Sequence, residues 1–256
     1  MKKVKPKKYL GQHFLNDKII AEQIVNSINI DNFNELIEIG PGMGVLTEFL
    51  LKKNIKTSYV EIDKEAVDYL IEHFPNISDK LISADFLKID IETDFNGKLG
   101  IIGNFPYNIS SQILFKVYHH KDKVNELVGM FQKEVADRVV SKPGNKVYGI
   151  LSVLLQAYYN IETLLILEPE NFTPPPKVKS SVIRLVRNNK VKIDCDEKLF
   201  FRIIKLSFNQ RRKVIRNSLK SMVDTDSLNS EFLRKRPEQL SVDEFIKLTN
   251  QVSEII

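Results

Sequence analysis

Apolar positions along the chain fall into seven short runs separated by longer stretches in which apolar residues recur every third or fourth position. The runs predict strands at 35–39, 57–61, 80–83, 98–103, 124–131, 161–167 and 179–186, with helices between most of them. Ahead of the first run, Asp17 is placed to cap a helix reaching Asn29, with Ile19, Ile20, Ile24, Val25 and Ile28 on one face. Strands alternating with helices predict an α/β fold, a doubly wound sheet whose ligands lie beyond the carboxyl ends of its strands. The alternation stops at Val186. Arg187-Asn188-Asn189-Lys190 reads as a linker, and the remainder of the chain lacks strand alternation, so a small helical domain over 188–256 is expected after a larger domain over 1–187.

Polar or glycine-rich groups stand at the ends of four consecutive runs. Glu38-Ile39-Gly40-Pro41-Gly42-Met43-Gly44 closes the first and leads into a helical pattern at Val45, Leu46, Phe49 and Leu50. Glycines at such a turn let a ligand approach the backbone, and the G-x-G-x-G spacing is not the dinucleotide fingerprint. Glu61 ends the second run, where a carboxylate can accept both hydroxyls of a ribose. Asp85 follows the third and could accept from an adenine amine. After the fourth comes Asn104-Phe105-Pro106-Tyr107. The Asn104 side-chain oxygen and the Pro106 carbonyl are two acceptors for the two protons of a flipped adenine's exocyclic amine. Taking both protons pushes that nitrogen toward tetrahedral geometry and frees its lone pair. Stacking on Tyr107 is worth roughly 1–3 kcal/mol, which about offsets the few kcal/mol of extracting a base.

Charge adds a partner. The 256 residues carry a formal charge of +5, and a pI near 9.0 suits a polyanion. From Phe200 to Met222 the basic residues Arg202, Lys205, Arg211, Arg212, Lys213, Arg216 and Lys220 occur with no Asp or Glu among them. Arg211, Arg212, Lys213 and Arg216 are the candidate RNA contacts. A second basic block, Lys2, Lys3, Lys5, Lys7 and Lys8, opens the chain. Cys195 is the only cysteine, which excludes an intrachain disulfide and a Cys-cluster metal site and points to the cytoplasm. The four histidines show no metal-ligand spacing, and His119-His120 fit the end of a helix. No run approaches a membrane span of roughly 18 apolar residues, and the lysine-rich start lacks a signal peptide's apolar segment.

These motifs, joined by Gly11-Gln12-His13-Phe14-Leu15, Gln132-Lys133-Glu134-Val135, Phe172-Thr173-Pro174-Pro175-Pro176-Lys177-Val178 and Phe208-Asn209-Gln210-Arg211-Arg212-Lys213, give a chain that from Tyr9 to about Leu219 resembles the small-subunit ribosomal RNA adenine dimethyltransferases, whose loss gives kasugamycin resistance. The glycine turn is generic to S-adenosylmethionine enzymes and Asn-x-Pro-Tyr is shared by amino methyltransferases of several kinds. Their combination with Phe-Thr-Pro-Pro-Pro and Phe-Asn-Gln-Arg-Arg-Lys makes the match specific. The resemblance implies a Rossmann-like class I methyltransferase sheet of seven strands, the last antiparallel. It implies S-adenosyl-L-methionine as donor, leaving as S-adenosyl-L-homocysteine, held by His13, Leu15, Gly40, Gly42, Glu61, Asp85 and Asn104. Asn104, Pro106 and Tyr107 would act on the target adenine, and Phe172 would sandwich it against Tyr107. Gln132-Lys133-Glu134 would either line the mouth of the site or open a helix.

The substrate implied is a pair of adjacent adenosines in a hairpin loop near the 3′ end of small-subunit ribosomal RNA, each methylated twice by direct displacement, in an immature subunit; nothing in the chain demands a dimer, and a monomer is expected. Two positions depart from the commonest pattern of the family: Phe105 stands where Leu is usual and His13 where the best-known members have Asn. A large-subunit ribosomal RNA methyltransferase of the macrolide-resistance type, a DNA adenine methyltransferase and a mainly non-catalytic ribosome-assembly factor are the alternatives.

Overall fold

A computed structural model describes residues 4–256; Lys2 and Lys3 of the N-terminal basic block lie outside them. The chain forms two compact units, one of residues up to 136 with 160–187, the other of 137–159 with 188–256.

The first unit is built on a seven-stranded sheet: β1 (Glu35–Ile39), β2 (Lys56–Glu61), β3 (Leu81–Ser83), β4 (Leu99–Asn104), β5 (Val124–Gln132), β6 (Tyr159–Leu167) and β7 (Ser180–Arg187), in spatial order 3-2-1-4-5-7-6. Pairs β1–β2, β1–β4, β2–β3 and β4–β5 are parallel, and β7 runs antiparallel to β5. Every predicted strand is present with ends within two residues of expectation. Their legibility follows from burial on both faces, which makes parallel strands near-continuous apolar runs: all five residues of β1 and the first five of β4 are buried.

Asp17 caps the helix Lys18–Ser27, its carboxylate accepting from the Ile19 and Ile20 amides at 2.8 and 3.2 Å. The helix ends two residues before Asn29. Ala21, Ile24 and Val25 are buried, whereas Ile19 is 70% exposed. The buried stripe follows the spacing 21, 24, 25, 28, and Ile19 lies off it. The helix Ser110–His119 ends at the expected histidine pair, with His120 as its cap.

Between β1 and β4 the chain order reverses. From β1 the fold grows outward through β2 and β3 on one side, then returns to start β4 on the other, which is where an open α/β sheet leaves a crevice.

The second unit is helical. Leu151, Val153, Leu154 and Leu155 of the helix Ile150–Gln156 are buried where it packs on the helices Glu197–Asn209 and Val242–Ser253. The Phe208 ring lies 6.2 Å from Tyr148 and 6.0 Å from Phe245. Segment 137–159 therefore shares a core with 188–256, although β6 and β7 separate them in the chain.

Candidate active site

One cavity at the carboxyl ends of β1, β2 and β4 is walled by Gly40 and Gly42, by Glu61, by Asp85 after β3, and by Asn104 to Tyr107; the segment Leu10–Phe14 closes its remaining side. Gly40 takes φ +66°, a conformation that favours glycine, and a Cβ there would meet only Pro106, at 4.0 Å. The turn is thus a cradle open toward the cavity.

Glu61 is buried, and its two oxygens accept from the backbone N–H of Gly42 at 3.0 Å and of Asp63 at 2.9 Å. Burial raises its pKa and these two bonds oppose the rise. Each oxygen keeps a second lone pair for a ligand hydroxyl. Asp85 accepts from the Leu87 amide at 3.0 Å, capping the turn Phe86–Lys88. Lys116 holds that turn from below, its ammonium donating to the carbonyls of Phe86, Leu87 and Ile89, and burial lowers its pKa.

Asn104 donates its side-chain N–H to the His13 carbonyl at 2.7 Å. That bond orients the amide and leaves Oδ1 as the acceptor. The Pro106 carbonyl, the other acceptor expected from the sequence, already receives the Ile109 amide at 3.2 Å and the Ser110 hydroxyl at 3.1 Å, which uses both its lone pairs. One peptide back, the Phe105 carbonyl receives no hydrogen bond among the described residues. Phe105 is 1% exposed yet belongs to the cavity wall, so it is the backbone that faces the cavity. Its ring lies against Phe131, centroids 5.0 Å apart, in a slot walled by Gly103 and Gly129. The Phe-for-Leu departure is accommodated by these two glycines.

Tyr107 bonds the buried Ser180 hydroxyl at 2.5 Å, and the His13 ring stacks on it with centroids 5.1 Å apart at 26°. Burial raises the phenol pKa, so the hydroxyl stays neutral. His13 also donates from Nδ1 to the Pro174 carbonyl at 2.7 Å. Its side chain is therefore engaged with Tyr107 and the proline loop, and its backbone with Asn104.

Leu15 is 4% exposed and lines an adjoining recess rather than the main cavity. Phe172 is not on the cavity wall: it pairs with Leu15 in a two-stranded ribbon, is 2% exposed, and packs into the core with Ile102, Val128 and Val182. Core burial turns the Phe172 ring away from the cavity, whereas Tyr107 is on its wall. Gln132 ends β5, Lys133–Val140 is a helix with Glu134 in its first turn, and none of these three residues is on the wall.

Four wall supports escaped the sequence reading. Lys7 pairs with Asp63, Gln12 donates to Asp63 at 3.0 Å, and Asp63 in turn caps the helix Lys64–His73 beside Glu61. The available signal was an Asp directly before a helical pattern, which is the mark of an N-cap. Glu38 is the fourth. It is 1% exposed, lines the recess, accepts from the Thr47 hydroxyl at 2.7 Å, and has its pKa pushed up to about 8, by burial first and then by nearby Glu61. Unfolded, the group ionises near 4.5. Between that pH and about 8 the folded chain holds a proton the unfolded chain has lost, so stability falls as pH rises through this window and levels off above it. Glu38→Gln, which keeps an acceptor for Thr47, is expected to flatten the fall. Melting temperatures at pH 5 and pH 8 check this: equal losses in both proteins would mean the carboxyl is ionised throughout.

A family model described as ribosomal RNA adenine dimethylase matches residues 3–254. The chain belongs to the ribosomal RNA adenine dimethylase family. It is 55% identical over 256 residues to the ribosomal RNA small subunit methyltransferase A of Cytophaga hutchinsonii, covering 99% of each chain. It is 52% identical over 254 residues to the protein of that name from Flavobacterium johnsoniae, covering 98% of this chain and 97% of the relative. Its fold is that of a Plasmodium falciparum dimethyladenosine transferase (TM-score 0.80, 22% identity, 94% of this chain and 98% of the other) and of the 23S rRNA methyltransferase ErmE (0.67, 21%, 94% and 99%).

In this ribosomal RNA adenine dimethylase the four basic side chains singled out on the second unit divide in two. Arg211 donates to the Lys146 carbonyl and lies 3.9 Å from Glu238, and Arg216 pairs with Asp226 at 2.5 Å. Arg212 and Lys213 are exposed and have no ionic partner among the described residues. Among those residues no cluster of His, Cys, Asp and Glu could hold a metal ion, and no helix is long and apolar enough to cross a membrane.

Proposed function

We propose that this dimethylase methylates, twice each, the exocyclic amines of two adjacent adenosines in the 3′-end hairpin loop of small-subunit ribosomal RNA, acting as a single copy on an immature subunit in the cytoplasm. One observation carries the chemistry: the Asn104 amide is pinned by its nitrogen, so a side-chain oxygen stands free beside an unengaged backbone carbonyl and an aromatic ring.

The residues of the cavity fit S-adenosylmethionine. Gly40 would receive its polar end against bare backbone, Glu61 its ribose and Asp85 its adenine. When bound, the donor supplies a methyl group activated by a sulfonium.

The rest is the chain's own work. Asn104 Oδ1 and the Phe105 carbonyl accept the two protons of the target amine, turning its lone pair toward the cavity. Tyr107 carries the flipped ring, held in its plane by Ser180 and backed by His13. Positioning of this kind contributes ~7–11 kcal/mol in favourable cases. No strong base is required, because the methylated ammonium sheds its proton to water. His13, the histidine of the cavity wall, donates from Nδ1 and supports the platform. Loop bases suit such a site since they are cheap to unstack.

The test is incubation with labelled S-adenosylmethionine and small subunits from cells lacking the modification, followed by mass-spectrometric mapping. Dimethyladenosine at adjacent 3′-end loop positions is expected. Donor binding with transfer only to large subunits, or with none, would overturn the assignment.

A further inference from the structure

We propose that the exposed loop 142–147 of the second unit is a phosphate-contacting element for the RNA substrate, and that Arg211 is the brace presenting it rather than an RNA contact itself. This holds on the footing that RNA is the substrate, as proposed above.

The loop Lys142-Pro143-Gly144-Asn145-Lys146-Val147 contains two lysines and no acid, and all six residues are exposed. Neither lysine has an ionic partner among the described residues. At its tip Gly144 takes φ +86°, and a Cβ placed there would meet nothing within 4 Å, so that side of the tip faces open space. A loop so exposed would ordinarily be loose, but this one is tied down. Asn145 closes it from within, its side chain accepting from the Val147 amide at 3.0 Å and its carbonyl from Tyr148 at 3.1 Å. The Gly144 amide donates to the Glu238 carbonyl at 2.7 Å, and the Arg211 guanidinium donates to the Lys146 carbonyl.

Arg211 therefore directs its planar fork of donors inward, at a carbonyl and toward the Glu238 carboxylate 3.9 Å away, a geometry a flexible ammonium does not reproduce. The Glu238 carboxylate, 18% exposed at its side chain, faces the guanidinium and is offset by it. Arg212 and Lys213, directly after the brace in the chain, are exposed as Lys142 and Lys146 are. Unpaired cations on a pre-ordered loop suit phosphates, since little ordering entropy is lost on binding.

Affinity for unmodified small ribosomal subunits, measured as a function of potassium chloride concentration, tests this. Lys142→Ala with Lys146→Ala should weaken binding several-fold and lower the log–log salt slope by about 1.4–1.8, at 0.7–0.9 per lost phosphate contact. Arg211→Ala should weaken binding comparably, yet add little to the double-lysine variant, because a brace acts only through what it holds. Arg211→Ala should also speed amide exchange at Gly144, which the lysine variant leaves unchanged. S-adenosylhomocysteine binding and melting temperature, followed in every variant, report any loss of fold. An unchanged slope in the lysine variant, or an Arg211 effect that adds fully to it with normal Gly144 exchange, would overturn the proposal while leaving the enzyme's function intact. Failure of the unaltered protein to bind or methylate small subunits would overturn the function, and this surface with it.

Discussion

Asn104→Ala is expected to lower the rate of dimethylation by about 10²–10³, the usual cost of removing one hydrogen-bonding group from a pre-organised site. The variant loses the acceptor for the target amine and also the donor to the His13 carbonyl, which at 2.7 Å ties the N-terminal wall of the cavity to the end of β4. Donor affinity should fall with it, though by less than the rate, because Gly40, Glu61 and Asp85 keep their places on the wall. Single-turnover methylation of small subunits, set beside calorimetric binding of S-adenosylhomocysteine, separates the two effects. A rate within threefold of the unaltered enzyme would remove Asn104 from the chemistry. Asn104→Asp should be no better: a carboxylate cannot donate to the His13 carbonyl and would face its oxygen with like charge.

Gly129→Ala should be among the most destabilising single-methyl changes in the first unit. Gly103 and Gly129 face each other in register between β4 and β5, and a Cβ at 129 would lie 2.1 Å from the Phe105 ring. The ring has little room to yield, since a Cβ at 103 would also meet it, at 2.7 Å, and Phe131 lies beyond. Overpacking of this kind costs about 1–3 kcal/mol or more, which lowers the melting temperature of a chain this size by roughly 2–4 °C per kcal/mol. Activity should fall further than stability, because the ring is attached to the backbone that carries Asn104 and the Phe105 carbonyl. Phe105→Leu leaves a void and costs on the order of 1 kcal/mol by itself. Combined with Gly129→Ala it should restore most of the lost stability, the shorter side chain making room for the new methyl. Melting curves of the two single variants and the double variant decide it; simple additivity would mean the ring and the glycine are not coupled.

The same slot accounts for a substitution that sequence comparison could only note. Phe105 differs from the residue usual at its position, and one sequence holds no sign that a glycine 24 residues later makes the exchange possible. The two positions meet only when β4 and β5 pair. His13 is similar. Its place in a Gly-Gln-His-Phe-Leu motif suggested the donor's polar end, yet its ring lies on Tyr107 and its Nδ1 reaches Pro174, 161 residues away.

What the residue pattern determined by itself is the sheet, its seven strands, and the order of polar groups at their carboxyl ends. Those properties are local: a strand buried on both faces must be apolar throughout, and a ligand at its end must meet whatever residue comes next. Glu61, Asp85 and Asn104 therefore reach one cavity by succeeding three strands of one sheet. Only the tertiary structure decided which atoms remain available there. Pro106 loses its carbonyl to Ile109 and Ser110, Phe172 turns into the core against Leu15, and Arg211 gives a guanidinium donor to a loop carbonyl. Segment 137–159 likewise joins the helical unit because Leu151, Val153, Leu154 and Leu155 find their apolar partners there. Hydrogen-bond capacity and buried surface are each used once, and competition for them runs between residues far apart in the chain, where no periodicity records the outcome.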